Sequence, residues 1–222
     1  MELRYSRNVP ALSESECEAL REKRVAVIGC GGLGGHIMEL LCRVGVGQLV
    51  LVDGDCFDES NLNRQIISET ANMGRNKAIC ALERVRRINP SVRAEAVSFY
   101  LTERNAFEII EGCDAVMDAL DNPASRKLLS RACTAANIPY IYGAISGWTA
   151  QAALSLPGDG LIDALFAKDT LVTDKSVLSF TPALCAAVQC SLCVRLLSGR
   201  EVKSGLVHCF DLLNMELESI QF

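Results

Sequence analysis

Apolar residues in this chain come in two rhythms that take turns. Short runs such as Arg-Val-Ala-Val-Ile at 24–28 and Gln-Leu-Val-Leu-Val at 48–52 are apolar without alternation. They read as strands buried on both faces. Elsewhere apolar positions return every three or four residues, the period of a helix that buries one side. The pattern predicts strands at 24–28, 48–52, 92–99, 115–118, 140–144, 150–156 and 206–211. Helices are predicted at about 35–44, 77–88, 106–111, 125–136 and 181–197. A leading helix is expected over 12–23, where Ser13 and, three positions on, Glu16 form a capping box. Strands that alternate with helices specify an α/β fold with a doubly wound, mostly parallel sheet. The stretch 157–179 has neither rhythm and is expected to be a mobile crossover loop. With no repeat, low-complexity tract or linker, residues 1–222 read as a single domain opened by an arm and helix over 1–23.

Composition narrows the function classes. Apolar residues make up 50% and aromatics 5%, which suits a core of Val, Ile, Leu and Ala and argues against disorder. A formal net charge of −5 gives no general attraction to polyanions, so no nucleic acid partner is expected, although a local cluster of cations can still hold phosphates. No segment reaches roughly 18 uninterrupted apolar residues, and residues 1–10 are too polar for a signal. No membrane partner is expected, and the expected location is cytoplasmic. Eleven cysteines, an odd number, then point to reduced thiols. Cys190 and Cys193 have metal-like spacing, but they sit in an apolar helical run without a second pair, which favours core packing.

The candidate chemistry begins where the first predicted strand ends. Gly29-Cys30-Gly31-Gly32-Leu33-Gly34 follows that strand and opens a helix. A Rossmann-like βαβ unit of about 30 residues places such a G-x-G-x-x-G turn against a phosphate. Residues without Cβ let the backbone approach an anion, and the helix N-terminus offers unpaired N–H groups. Asp53, nineteen residues after Gly34, closes the second strand, where its carboxylate can accept from ribose hydroxyls. This much suits NAD and ATP equally.

The residues after Asp53 separate the two. Asp53-Gly54-Asp55, Ser60-Asn61-Leu62-Asn63-Arg64-Gln65 and Gly74-Arg75-Asn76-Lys77 are too polar for a core. Arg64 and Lys77, delivered from separate segments, suit a triphosphate better than the less charged pyrophosphate of NAD. Asp121 follows the strand at 115–118, at the sheet edge where doubly wound folds bind ligands. Its carboxylate can hold Mg²⁺ on the phosphates or cap the helix that begins near Pro123, and the residues alone leave both readings open.

In this order the motifs resemble the ThiF/MoeB/HesA adenylating enzymes, relatives of the adenylation domain of ubiquitin-activating enzymes. The resemblance rests on Arg4-Tyr5-Ser6-Arg7, the glycine turn, Asp53 with Asp55, residues 60–65 and 74–77, Ile88-Asn89-Pro90, and Asp121-Asn122. It runs from Arg4 to Asp211, and the ordered set is specific where the glycine turn alone is not. It implies ATP adenylating the C-terminal glycine carboxylate of a ubiquitin-like sulfur-carrier protein ending in Gly-Gly, as in thiamine or molybdopterin biosynthesis. It implies a nucleotide site of Gly29, Gly31, Gly32, Gly34, Asp53, Asp55, Asn61, Arg64, Gln65 and Lys77. It further implies Mg²⁺ on Asp121, and catalysis by Arg64, Lys77, Asp121 and an Arg7 that crosses from the other subunit of a homodimer.

Departures from the family pattern qualify the expectation. Many relatives hold zinc on two C-x-x-C pairs, but Gly158 and Leu161 take the first pair's place and the chain ends before the second, so no zinc is expected. Relatives that form a persulfide or thioester use a loop cysteine that Leu171–Val177 lacks, and Cys185, the nearest thiol, sits in an apolar helical setting that favours packing. Alternative readings are activation of another carboxylate, on a peptide or a tRNA nucleoside, and a non-catalytic module that binds nucleotide or carrier. A dehydrogenase gives Arg64, Lys77 and Asp121 no purpose.

Overall fold

Val25 and Val27 of strand β1 (Arg24–Ile28) join one hydrophobic cluster, while Ala26 and Ile28 join another on the opposite face. Its unbroken apolar run is therefore that of a strand covered on both sides. The computed structural model describes residues 2–167 and 176–222. The other strands are β2 (Gln48–Val52), β3 (Arg93–Val97), β4 (Ala115–Asp118), β5 (Tyr140–Ser146), β6 (Thr149–Ser155), β7 (Leu206–Asp211) and β8 (Glu216–Gln221). Among the described residues they form one eight-stranded sheet in the order β3-β2-β1-β4-β5-β6-β7-β8. The pairings from β3 through β5 are parallel, and those from β5 through β8 are antiparallel.

The helices are α1 (Glu14–Arg21), α2 (Gly32–Val44), α3 (Lys77–Ile88), α4 (Ala106–Ile110), α5 (Pro123–Ala136), α6 (Leu161–Leu165) and α7 (Phe180–Leu197). Buried residues of α1, α2, α3 and α7 form one cluster, and those of α4, α5 and α6 form the other. Strand order reverses at β1, which lies between β2 and β4, and the crevice beyond their carboxyl ends is the position such sheets give to a ligand. In α1 the expected capping box is present: the Glu16 N–H donates to Ser13 Oγ at 3.2 Å and the Ser13 N–H to Glu16 Oε2 at 2.7 Å.

Several elements differ from the sequence reading. Helix α2 begins at Gly32 rather than near Gly35, because its first turn is built from the glycine loop itself. Strand β8 was not expected: its residues are all exposed, so no buried face marks it, and the backbone ladder to β7 defines it. The stretch 157–179 contains helix α6, while residues 168–175, and with them most of the expected cysteine-free loop Leu171–Val177, lie outside the described residues. Helix α7 is long and apolar enough to cross a membrane by length and composition, yet Cys185, Ala186, Gln189 and Cys193 are buried in the protein interior. Cys190 joins that core, donating its Sγ–H to the Ile37 carbonyl at 3.7 Å, and burial pushes both Cys190 and Cys193 thiols up.

Candidate nucleotide site

Strands β1, β2 and β4 end on one line, since Ile28 pairs with both Val52 and Asp118. The chain leaves β1 through Gly29 at φ +100°, and the Gly29 N–H donates to the Val52 carbonyl at 2.8 Å. A Cβ at Gly29 would lie 2.5 Å from the Ala119 carbonyl oxygen, and one at Gly34 only 1.7 Å from that of Gly29. The first turn of α2 therefore rests directly on the loop. Gly31, its N-cap, provides no side-chain cap, so the helix meets the crevice with first-turn N–H groups that an anion can satisfy. Gly34→Ala is expected to cost roughly 3 kcal/mol, since the backbone must move to admit the methyl group; thermal unfolding measures it.

Asp53 fastens the end of β2 to this turn. Its Oδ2 accepts from the Cys30 N–H and its Oδ1 from the Asp55 N–H, each at 2.8 Å. Burial raises the carboxyl above its usual range, opposed by these two hydrogen bonds and by Lys77. A carboxylate offers about four lone pairs, so Asp53 can hold the loop and still accept from ribose hydroxyls.

Asn76 delivers Lys77. As N-cap of α3 its Oδ1 accepts from the Ile79 N–H at 3.1 Å, while its Nδ2 donates to the carbonyls of Asp53 and Asp55 at 3.0 and 3.1 Å. The buried Lys77 then places Nζ 3.4 Å from Asp55 Oδ2.

The turn carrying Arg64 is built by Asp58 and Asn61, which cap one another: Ser60 N–H donates to Asp58 Oδ1 at 2.8 Å and Asp58 N–H to Asn61 Oδ1 at 3.2 Å. Asn61 is buried in this turn. The stem of Arg64 lies beside Gly32, where a Cβ would stand 3.7 Å from Arg64 Cγ. Arg64 Nη1 donates to the Ser60 carbonyl and Asn63 Oδ1, both at 2.8 Å, which leaves Nε and Nη2 without a protein partner among the described residues. Asp58 lies in the field of both Lys77 and Arg64, and its carboxyl is lowered first by the Ser60 side chain. Gln65 brings its amide beside Gly31, and its buried Oε1 has no partner among the described residues. An unsatisfied buried acceptor at a glycine turn is what a missing hydrogen-bonding ligand leaves behind.

Asp121 lies in the loop after β4, two residues beyond the Ala119 that touches Gly29 and Gly34. The cap of α5 is Asn122, whose Oδ1 accepts from the Ser125 N–H at 2.8 Å. Asp121 is thus exposed and outside the cap, with Asn122 Nδ2 donating to it at 3.3 Å. Its hard carboxylate oxygens suit a divalent cation that phosphates and water also coordinate. Arg7 stands elsewhere, lining a groove of about 410 Å³ with Leu40 and Val44 of α2 and Cys190 and Val194 of α7. Within one chain the structure does not bring it to the glycine turn. Among the described residues no three His, Cys, Asp or Glu side chains cluster to hold a metal. Cys185 donates to the Gln151 carbonyl at 3.2 Å, and burial pushes its thiol up to about 12, the setting of a core residue.

Two residues of this region went unread in the sequence. Arg126 of α5 is buried against Asp118, and its signal was available: it shares the core stripe of Leu129 and Cys133, where a charge is out of place. Tyr100 donates its hydroxyl to Asp55, 45 positions away, and nothing local announces that pair.

Residues 5–222 match the ThiF family. The chain is 33% identical over 231 residues to the SAMP-activating enzyme E1 of Haloferax volcanii, covering 99% of this chain and 84% of that protein. A sulfur carrier protein adenylyltransferase of Thermus thermophilus is 37% identical over 153 residues, 68% of this chain and 56% of that protein. The crystal structure of E. coli MccB with ATP shares the fold, with a TM-score of 0.84 at 19% identity over 100% of this chain and 71% of that one. The match extends over nearly every element described above, and the chain belongs to the ThiF family.

Proposed function

We propose that this chain is an adenylyltransferase that uses ATP to activate the C-terminal glycine carboxylate of a ubiquitin-like sulfur-carrier protein. The observation that carries the reading is the gathering of two cations around one glycine turn, Arg64 along Gly32 and Lys77 on Asp55, which Asp53 ties to Cys30 of the turn, beside the unsatisfied Gln65 acceptor. The names of the haloarchaeal and Thermus relatives support the same activity. In the reaction a carboxylate oxygen of the carrier bonds to the α-phosphorus, the bond from that phosphorus to the bridging oxygen breaks, and pyrophosphate leaves.

The chain's own part is positioning and charge neutralisation, and no protein nucleophile is needed. Asp53 holds the ribose, the first turn of α2 and the free N–H groups of Arg64 hold phosphate oxygens, and Lys77 offsets the charge that builds on the leaving group. Asp121 would hold Mg²⁺, which supplies further neutralisation of the phosphates when bound. Arg7, remote from the turn in its own chain, acts in this reading from a second copy, so the active form is a homodimer working in the cytoplasm.

The test is ATP–pyrophosphate exchange with purified carriers of the thiamine and molybdopterin types, each ending in Gly-Gly, and with each carrier truncated by its last glycine. Exchange that needs the intact carrier is expected, with an AMP adduct visible by mass spectrometry. Exchange supported instead by a peptide or a tRNA nucleoside carboxylate would move the proposal to that substrate. Binding of ATP without exchange on any substrate would leave a non-catalytic module.

A further inference from the structure

Asp55 has its backbone fixed on both sides. Its N–H donates to Asp53 Oδ1 at 2.8 Å, and its carbonyl accepts from the Lys77 N–H at 2.9 Å and from Asn76 Nδ2 at 3.1 Å. Only its side-chain torsions remain, and the two oxygens of its carboxylate are divided. Oδ2 faces Lys77 Nζ at 3.4 Å, and Oδ1 accepts from the Tyr100 hydroxyl.

Tyr100 is held for this task although its residue is 63% exposed. Its ring lies on Gly54, where a Cβ would come within 2.7 to 2.8 Å of three ring atoms, so position 54 is a seat that only glycine leaves open. Its carbonyl accepts from Asn105 Nδ2 at 2.9 Å, and Asn105 Oδ1 in turn accepts from the Thr102 N–H at 2.7 Å. A solvated tyrosine needs none of these contacts. The hydrogen bond to the Asp55 carboxylate also raises the Tyr100 hydroxyl above its ordinary range, as expected of a proton held by an anionic acceptor.

We propose that Tyr100 and Asp55 form a couple that sets the Lys77 ammonium beside the glycine turn, making Tyr100 a positioning residue that acts on the nucleotide through Lys77. The inference rests on the adenylation reading only in taking Lys77 as a phosphate ligand. Lys77 has a side chain 9% exposed, so its ammonium has few alternatives to Asp55 before a triphosphate arrives. With the Tyr100 hydroxyl gone, the Asp55 carboxylate turns freely toward water and the ammonium loses its fixed anchor.

The test is a double-mutant cycle read as affinity for magnesium-ATP by titration calorimetry, on wild type, Tyr100→Phe, Asp55→Ala and the double variant. Tyr100→Phe removes one hydroxyl from an exposed side chain and keeps the ring on Gly54, so the fold is retained; thermal unfolding verifies it. Weakening of about fivefold is expected for Tyr100→Phe, the scale of one hydrogen bond to a charged group in partial solvent. In the Asp55→Ala background the same change is expected to have no effect beyond about twofold. A Tyr100→Phe protein that binds like wild type, or one whose loss persists without Asp55, overturns the inference and leaves the adenylation reading standing. A wild-type chain that does not bind magnesium-ATP overturns both.

Discussion

Arg126→Met is expected to lower the free energy of unfolding by about 3–5 kcal/mol at neutral pH, the cost of stranding one partner of a buried ion pair. Arg126 is 6% exposed and Asp118 0%, with Nε 3.5 Å from Asp118 Oδ2. The guanidinium also donates to the Leu120 carbonyl and lies 5.2 and 5.6 Å from the ring centres of Tyr142 and Phe166. Methionine fills much of the volume but supplies no donor and no charge. Asp118 keeps the Tyr140 hydroxyl at 2.7 Å and the Leu120 N–H at 2.9 Å, but these neutral donors bring no countercharge to a carboxylate in an apolar interior.

The pH dependence has a definite sign. Burial already raises Asp118 above its usual range, with Arg126 opposing the shift, so removing Arg126 raises it further. A carboxyl raised in the folded state is harmless below its unfolded pKa and destabilises as pH climbs through the folded one. The deficit of Arg126→Met is therefore largest at neutral pH and shrinks in mild acid. Urea unfolding at pH 7 and pH 5 measures this, and a deficit that grew in acid would refute the charge-pair account. Arg126→Lys separates charge from geometry, because lysine carries the charge without the fork that reaches Leu120.

Lys77→Met is expected to reduce carrier-dependent pyrophosphate exchange about 10²- to 10³-fold, the usual effect of removing one preorganised group that meets charge in the transition state. The effect on stability should be small, about 1 kcal/mol or less, since its partner Asp55 has a side chain 51% exposed and such pairs contribute little. A large catalytic loss beside a nearly unchanged unfolding midpoint identifies a functional cation. A rate within threefold of wild type, about 0.7 kcal/mol, would instead leave Lys77 as a structural lysine. The kcat against KM split adds the direction: loss in kcat assigns the ammonium to the departing pyrophosphate, and loss confined to the KM for ATP assigns it to ground-state binding.

What could be read from the sequence follows the range of the interactions involved. The glycine turn, Asp53 at the end of β2 and the capping box of Ser13 and Glu16 are set by neighbours a few positions apart and were legible, although α2 starts three residues earlier in that turn than the pattern put it. Lys77 in the first turn of α3 was legible for the same reason. Of the two readings of Asp121, one local fact from coordinates removes the cap, because Asn122 makes it. By contrast, Tyr100 meets Asp55, Arg126 meets Asp118, and the Gln65 amide meets Gly31 across separate elements.

The sequence by itself determined the alternation of strands and helices, the glycine turn and the polar segments that follow it, because periodicity and turn chemistry act within a few residues along the chain. The tertiary structure alone decided which of those polar residues meet. Strand order brings β4 beside β1, which pairs Asp118 with Ile28 and sets Ala119 against the glycine turn, while Arg7 lies apart in a groove between α2 and α7. Such meetings depend on how sheets and helices stack, a long-range choice that side-chain burial enforces and that no short stretch of residues encodes.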